Sequence, residues 1–208
     1  MKKIIIILSI FILLGSYDSY SQKKGQLVME FNYDLSSPIG QFKDFISNLG
    51  YRGFEFEMKY MLNDHIAVGG NLTWYGFNEE FPRGTYYFDG GALTAQVWNY
   101  TTVFPIRAVF TYYFLPEGDI NPYAGLMTGA YFVDKETDIG FHNIRDKSWH
   151  FGLTPKVGCY FPMGGFTEWG FNVNVKYNYI FYNKTGLDNK SWDNIMFFDY
   201  SLGIMVFF

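Results

Sequence analysis

Eight stretches of the chain alternate apolar and polar positions with a period of two, the pattern of a half-buried β-strand. They cover residues 27–33, 53–61, 66–75, 103–114, 122–133, 150–161, 169–181 and 195–208. The seventh shows the pattern most fully. Trp169, Phe171, Val173, Val175, Tyr177, Tyr179 and Phe181 share one face, with Gly170, Asn172, Asn174, Lys176 and Asn178 on the other. Across all eight stretches the apolar faces carry no charge. The opposite faces carry Glu30, Glu55, Glu57 and Asp199 against Lys59, Arg107, Lys156 and Lys176. The predicted fold class is all-β: an eight-stranded, antiparallel, up-and-down barrel.

Periodicity does not say which face meets water. In a soluble barrel or sandwich the apolar face points inward. In a transmembrane β-barrel it meets lipid and the polar face lines the interior. Four features favour the transmembrane arrangement. The apolar faces are too bulky for the inside of eight strands, which enclose room for ordinary side chains only. The opposite faces hold glycines suited to a narrow lumen, and their eight charges sum to zero, as a desolvated network requires. Short connections (62–65, 115–121, 162–168) alternate with long ones (34–52, 76–102, 134–149, 182–194). Aromatic residues, among them Tyr60, Trp74, Tyr75, Phe114, Trp169, Tyr179, Phe181 and Tyr182, gather at strand ends as interfacial girdles do. A secreted soluble β-protein is the alternative.

The first residues stand apart from this pattern. A basic start, Met1-Lys2-Lys3, precedes an apolar run from Ile4 to Leu14, and Ser19-Tyr20-Ser21 is a small-x-small site. This is the layout of a secretory signal peptide, too short to span a bilayer as a helix. The predicted division is a signal peptide, 1–21, and a barrel domain, 22–208. Losing Lys2, Lys3 and Asp18 takes the formal charge from −4 to −5.

Composition narrows the function classes. Aromatic residues make up 22% of the chain and charged residues 17%, which excludes disorder and long helical bundles. An acidic chain without a basic face is no partner for nucleic acid. The single cysteine, Cys159, excludes an internal disulfide and a multi-cysteine metal site.

The chain resembles the small eight-stranded outer-membrane β-barrel family of Gram-negative bacteria, the porin-like group around outer membrane proteins A, X and W. The resemblance is carried by the signal peptide and by Gly53-Phe54-Glu55-Phe56-Glu57. It is carried further by the turn Leu62-Asn63-Asp64-His65 into Ile66-Ala67-Val68-Gly69-Gly70, by Asn121-Pro122-Tyr123-Ala124-Gly125, and by the C-terminal 200–208. It implies export to the cell outer membrane and a monomer embedded in outer-membrane lipid, including lipopolysaccharide. It also implies that Leu202, Ile204, Val206 and Phe208 form the signal read by the barrel-assembly machinery.

Chemistry is sparse. Ser148, His150 and Asp146 superficially resemble a triad, but such groups are recognised by geometry rather than spacing. His65 falls in a short turn and His142 in a long loop. No set of residues has metal-ligand spacing, and no catalytic residue, cofactor or metal is predicted. The interior charges form either a salt-bridge network that fills the lumen, the favoured reading, or the lining of a narrow solute path. The second long loop offers Phe81, Tyr86, Tyr87, Phe88 and Trp98 as recognition candidates. Alternatively, two strands simply extend there beyond the membrane and pair. The predicted function is non-enzymatic, structural or interaction-based through the outer loops. A narrow pore for small solutes is the first alternative and an outer-leaflet lipid-modifying enzyme the second.

Overall fold

A computed structural model of the chain describes residues 24–88, 91–116, 118–140, 142–163, 168–185 and 191–208. The proposed signal peptide lies outside them. Eight strands run in chain order: β1 (Leu27–Ile39), β2 (Arg52–Met61), β3 (Ile66–Phe88), β4 (Gly91–Tyr113), β5 (Asn121–Ile139), β6 (His142–Met163), β7 (Glu168–Thr185) and β8 (Ser191–Phe207). Each pairs antiparallel with its sequence neighbours, and β1 pairs with β8 to close the barrel. A short helix, α1 (Gln41–Phe45), interrupts the connection from β1 to β2.

The alternation read from the sequence is the alternation of the wall. Outward positions form an apolar belt, with Phe54 and Leu202 each 59% exposed and Phe208 67%. Trp74, Phe104 and the Phe132–Trp149 pair, its rings 5.2 Å apart, bound the belt at one end. Tyr60, Tyr112 and Phe114 bound it at the other. Inward positions are polar, and Glu57, Lys176 and Asp199 are fully buried. An apolar outside around a charged inside is stable only in lipid, so this is a transmembrane β-barrel. The narrow lumen depends on inward glycines. A Cβ on Gly69 would collide with the Met58 carbonyl and crowd the Lys59 backbone.

The strands are longer than the sequence pattern suggested. Two of the regions expected as long loops, 76–102 and 134–149, are mostly strand: β3 and β4 each have 23 residues and stay paired to Phe88↔Gly91. Beyond the belt this hairpin reaches roughly 40 Å at ~3.3 Å per residue. β5 and β6 pair to Ile139↔His142, so His142 opens a strand rather than lying in a loop. Alternation persists outside lipid, as in Thr94-Ala95-Gln96-Val97-Trp98-Asn99, but the polar Thr94 and Gln96 join Trp98 on the outer face, so the belt signal fades while the ladder continues.

Candidate functional site

Among the described residues, the lumen is where the fold buries charge. All eight sequence-predicted interior residues (Glu30, Glu55, Glu57, Lys59, Arg107, Lys156, Lys176 and Asp199) are buried within it. A ninth, Asp34, is also fully buried. The sequence pattern ends the first stretch at Tyr33 with an extension past Asp34 left open, and counts Asp34 with the outer loops. In the structure β1 continues to Ile39, and Asp34 keeps the inward parity of Glu30 and Asn32. The buried charges among the described residues are therefore five acidic and four basic, not balanced.

They sort into two linked centres. In the first, Lys59 pairs with Glu30 and with Glu57 at 2.8 Å, while Lys156 pairs with Glu57 at 2.5 Å. In the second, Lys176 pairs with Glu55 at 2.6 Å, Asp199 at 3.0 Å and Asp34 at 3.2 Å, and Arg107 pairs with Glu55 at 3.2 Å. Asn71 joins the centres: its carbonyl accepts from the Arg107 Nε at 2.9 Å, and its amide donates to Glu57 at 3.2 Å. Arg107 also donates to Thr73, Thr154 and Asn178 at 2.6, 3.3 and 3.1 Å. Such a planar fork with several fixed donors suits a crowded interior better than a flexible ammonium.

Glu30, Glu55 and Glu57 place carboxylate oxygens within 4.8 Å of one another. Each is ion-paired to a lysine or arginine, so the positive charge a bound cation would supply is already provided by side chains.

Apolar clusters seal both ends of this polar middle, and sequence reasoning missed them. At the end of the long hairpins, Phe42 and Ile46, carried by α1 and its C-cap, pack with Tyr75, Phe77, Tyr131, Ile180, Tyr182 and Phe197. Phe42 meets Phe77 edge-on at 5.0 Å. At the opposite end, Val28, Met61, Tyr113, Tyr123, Tyr160 and Phe207 pack together. Tyr75 and Tyr182, which their place at strand ends assigns to the aromatic girdles, are buried. Their positions share parity with the interior charges, and they face inward instead. The tyrosines turn their hydroxyls toward the charges: Tyr75 donates to Asp199 at 2.8 Å and Tyr113 accepts from Lys59 at 3.1 Å. Apolar residues on the charged parity near strand ends were the available signal.

The remaining candidates are distributed around this core. Ser148 and His150 approach to 2.7 Å on the inner face of β6, His150 packs against the Tyr182 ring at 4.5 Å, and the Asp146 carboxylate accepts from the Tyr182 hydroxyl at 3.1 Å. His65 hydrogen-bonds the Tyr113 carbonyl oxygen at 2.8 Å beside its turn. Phe81 and Trp98 sit half-buried on the extended hairpin, and the Trp98 and Tyr100 rings stack at 6.3 Å. The side chains of Tyr86, Tyr87 and Phe88 lie outside the described residues, although their backbones belong to β3. Leu202, Ile204, Val206 and Phe208 line up on the outer face, the first three opposite Tyr33, Phe31 and Met29 of β1 at the closing seam. Cys159 points outward on β6.

No protein-family model matches the sequence, and neither does any curated protein. Solved structures do match. Ail, the attachment invasion locus protein of Yersinia pestis, aligns over 89% of this chain and 99% of its own with a TM-score of 0.50 at 13% identity. Neisserial surface protein A aligns over 87% and 95% with a TM-score of 0.51 at 15% identity. The outer membrane protein OprG of Pseudomonas aeruginosa aligns over 90% and 98% with a TM-score of 0.51 at 14% identity. At these identities the likeness is one of architecture, and the chain has the fold of the small eight-stranded outer-membrane β-barrels.

Proposed function

We propose that this chain is a monomeric, non-enzymatic barrel of a Gram-negative outer membrane, exported by its signal peptide. Its lumen is closed and its long hairpins form a contact surface outside the cell. The observation that carries this reading is the division of labour along the barrel axis. The lumen is filled by ion pairs between two apolar seals, while the β3–β4 hairpin extends far past the belt. A filled lumen stabilises the barrel and leaves no wide path for solute. Material that a barrel does not need for spanning is available for interaction.

The orientation follows from the connections. The turn at 62–65, Leu27 and Phe208 share one end, which faces the periplasm, and the extended hairpins share the other. The outward row Leu202, Ile204, Val206 and Phe208 is the segment offered to the barrel-assembly machinery. The architectural likeness to outer-membrane proteins supports the location.

The test is surface labelling. With Cys159 replaced by Ala, a Thr85→Cys variant should react with a membrane-impermeant maleimide on intact cells, and an Asp64→Cys variant only after the outer membrane is opened. The protein should fractionate with the outer membrane and shift on gels when heated. Equal labelling of both sites on intact cells, or the reverse order, contradicts the reading.

A further inference from the structure

On the outer wall, β1 to β4 do not present a smooth belt. Phe31, Phe54, Phe56, Leu72, Trp74 and Phe104 line an open groove of about 470 Å³, within the ~300–1,000 Å³ of small-molecule sites. Its walls are ordered by ring contacts: Phe31 meets Phe56 at 4.9 Å, and Phe54 stacks on Trp74 at 6.4 Å with the rings 9° from parallel. The Tyr33 hydroxyl donates to the Tyr51 carbonyl oxygen above it.

Arg52 stands at the outer rim of this groove. It precedes Phe54 by two residues on the same outward face, ~7 Å farther along the strand, and it is exposed. Its partner in the register is Gly76, whose missing side chain leaves the strand surface open. A Cβ there would lie 3.3 Å from the Arg52 Cβ and 3.7 Å from its Cδ. Two outward cations of β6 are engaged. Asp134 takes both Arg145 and, at 3.8 Å, Lys147. Among the described residues Arg52 makes no ion pair. A guanidinium without a carboxylate, at the level where lipid headgroups begin and directly above an aromatic slot, is complementary to a phosphate that carries an acyl chain.

We infer that Arg52 and the β1–β4 groove form a binding site for one phosphorylated, acylated glycolipid of the outer leaflet. An acyl chain lies along Phe54, Leu72 and Trp74, and the sugar phosphate is held by the Arg52 guanidinium. The inference rests on the outer-membrane reading for the lipid it names.

The experiment uses the mature chain refolded in a neutral detergent. Lipid A and its phosphate-free derivative are added separately, and bound lipid is counted by native mass spectrometry. One lipid A should bind saturably, and the phosphate-free form should bind about tenfold more weakly, the loss of one charge-assisted contact. Arg52→Gln should remove that difference, Arg52→Lys should recover part of it, and Leu72→Trp, which fills the groove, should weaken both lipids. Equal binding of the two lipids by the unaltered protein overturns the proposal without reference to any variant. So does an Arg52→Gln variant that still discriminates between them, and so does a response to Leu72→Trp without phosphate selectivity. Fractionation to another membrane would overturn the location instead, and is read separately from phosphate selectivity in detergent.

Discussion

Glu30 on β1 and Glu57 on β2 stand directly opposite one another in the strand register, and the Lys59 ammonium reaches both. Like charges directly opposed on one sheet face are destabilising. Here the pair is held by two lysines, because Lys156 also reaches Glu57 at 2.5 Å. Removing one lysine leaves a buried carboxylate short of its counter-charge. Lys59→Met should therefore cost about 3–5 kcal/mol, read as a lower urea midpoint for unfolding from lipid vesicles. The double variant Lys59→Met/Glu30→Gln should recover much of that loss. An unchanged midpoint for Lys59→Met would show that the pairing carries no stability.

Arg107 and Asn174 provide a contrast at two fully enclosed positions. Arg107 bridges both charge centres through Glu55 and Asn71. Asn174 has no hydrogen-bond partner for either amide atom among the described residues. Arg107→Ala should lower stability by about 3–5 kcal/mol, and Lys156→Ala should behave in the same way. Asn174→Leu should change it by less than about 1 kcal/mol, because it removes polar atoms that make no bond. Similar losses for Arg107→Ala and Asn174→Leu in equilibrium unfolding would contradict the network assigned here.

Outside the membrane, Asp134 on β5 accepts two hydrogen bonds from Arg145 on β6. The guanidinium holds the Asp134 carboxyl below the ordinary aspartate range. Its protonation is thus displaced downward on folding. The pair contributes at neutral pH and above the ordinary range, and the contribution is lost as pH falls through the lowered value. An NMR titration of the Asp134 carboxyl should show a midpoint below that of a free aspartate, and Arg145→Gln should raise it. A midpoint indifferent to Arg145→Gln would break the assignment.

The Ser148–His150 approach at 2.7 Å has the length of a nucleophile–base contact. It is also what two inward residues on one strand form when they satisfy each other. A non-enzymatic barrel predicts identical lipid A mass spectra from cells with the protein, without it and with Ser148→Ala. A deacylated or otherwise modified lipid A species that needs both the protein and Ser148 would establish the enzymatic alternative.

Much of this was legible in the alternation alone. The charged parity of Glu55, Glu57 and Lys59, or of Lys176 on β7, identifies the inner wall, since an uncompensated charge on the opposite face would sit in lipid. What parity does not convey is position along the axis. Tyr75, Tyr131 and Phe197 share the inward parity with the charges, yet they form a seal. Only the register, which places them near one mouth, separates plug from network. Phe42 was hidden for another reason: it lies on a single helical turn, too short to show a period. Asp34 was lost at a boundary, where Ser37 follows Leu35 on the outer face and the apolar signal of β1 breaks before the strand does.

The central claim is that ion pairs and two apolar seals close the lumen. Planar-bilayer recording of the refolded protein tests it most directly. The account predicts no steady unit currents under an applied voltage, either for the unaltered chain or for a Phe42→Ala variant, because the ion pairs and the second seal around Tyr113 and Tyr123 still block the path. Reproducible unit conductance from the unaltered protein would contradict it and make the barrel a narrow pore.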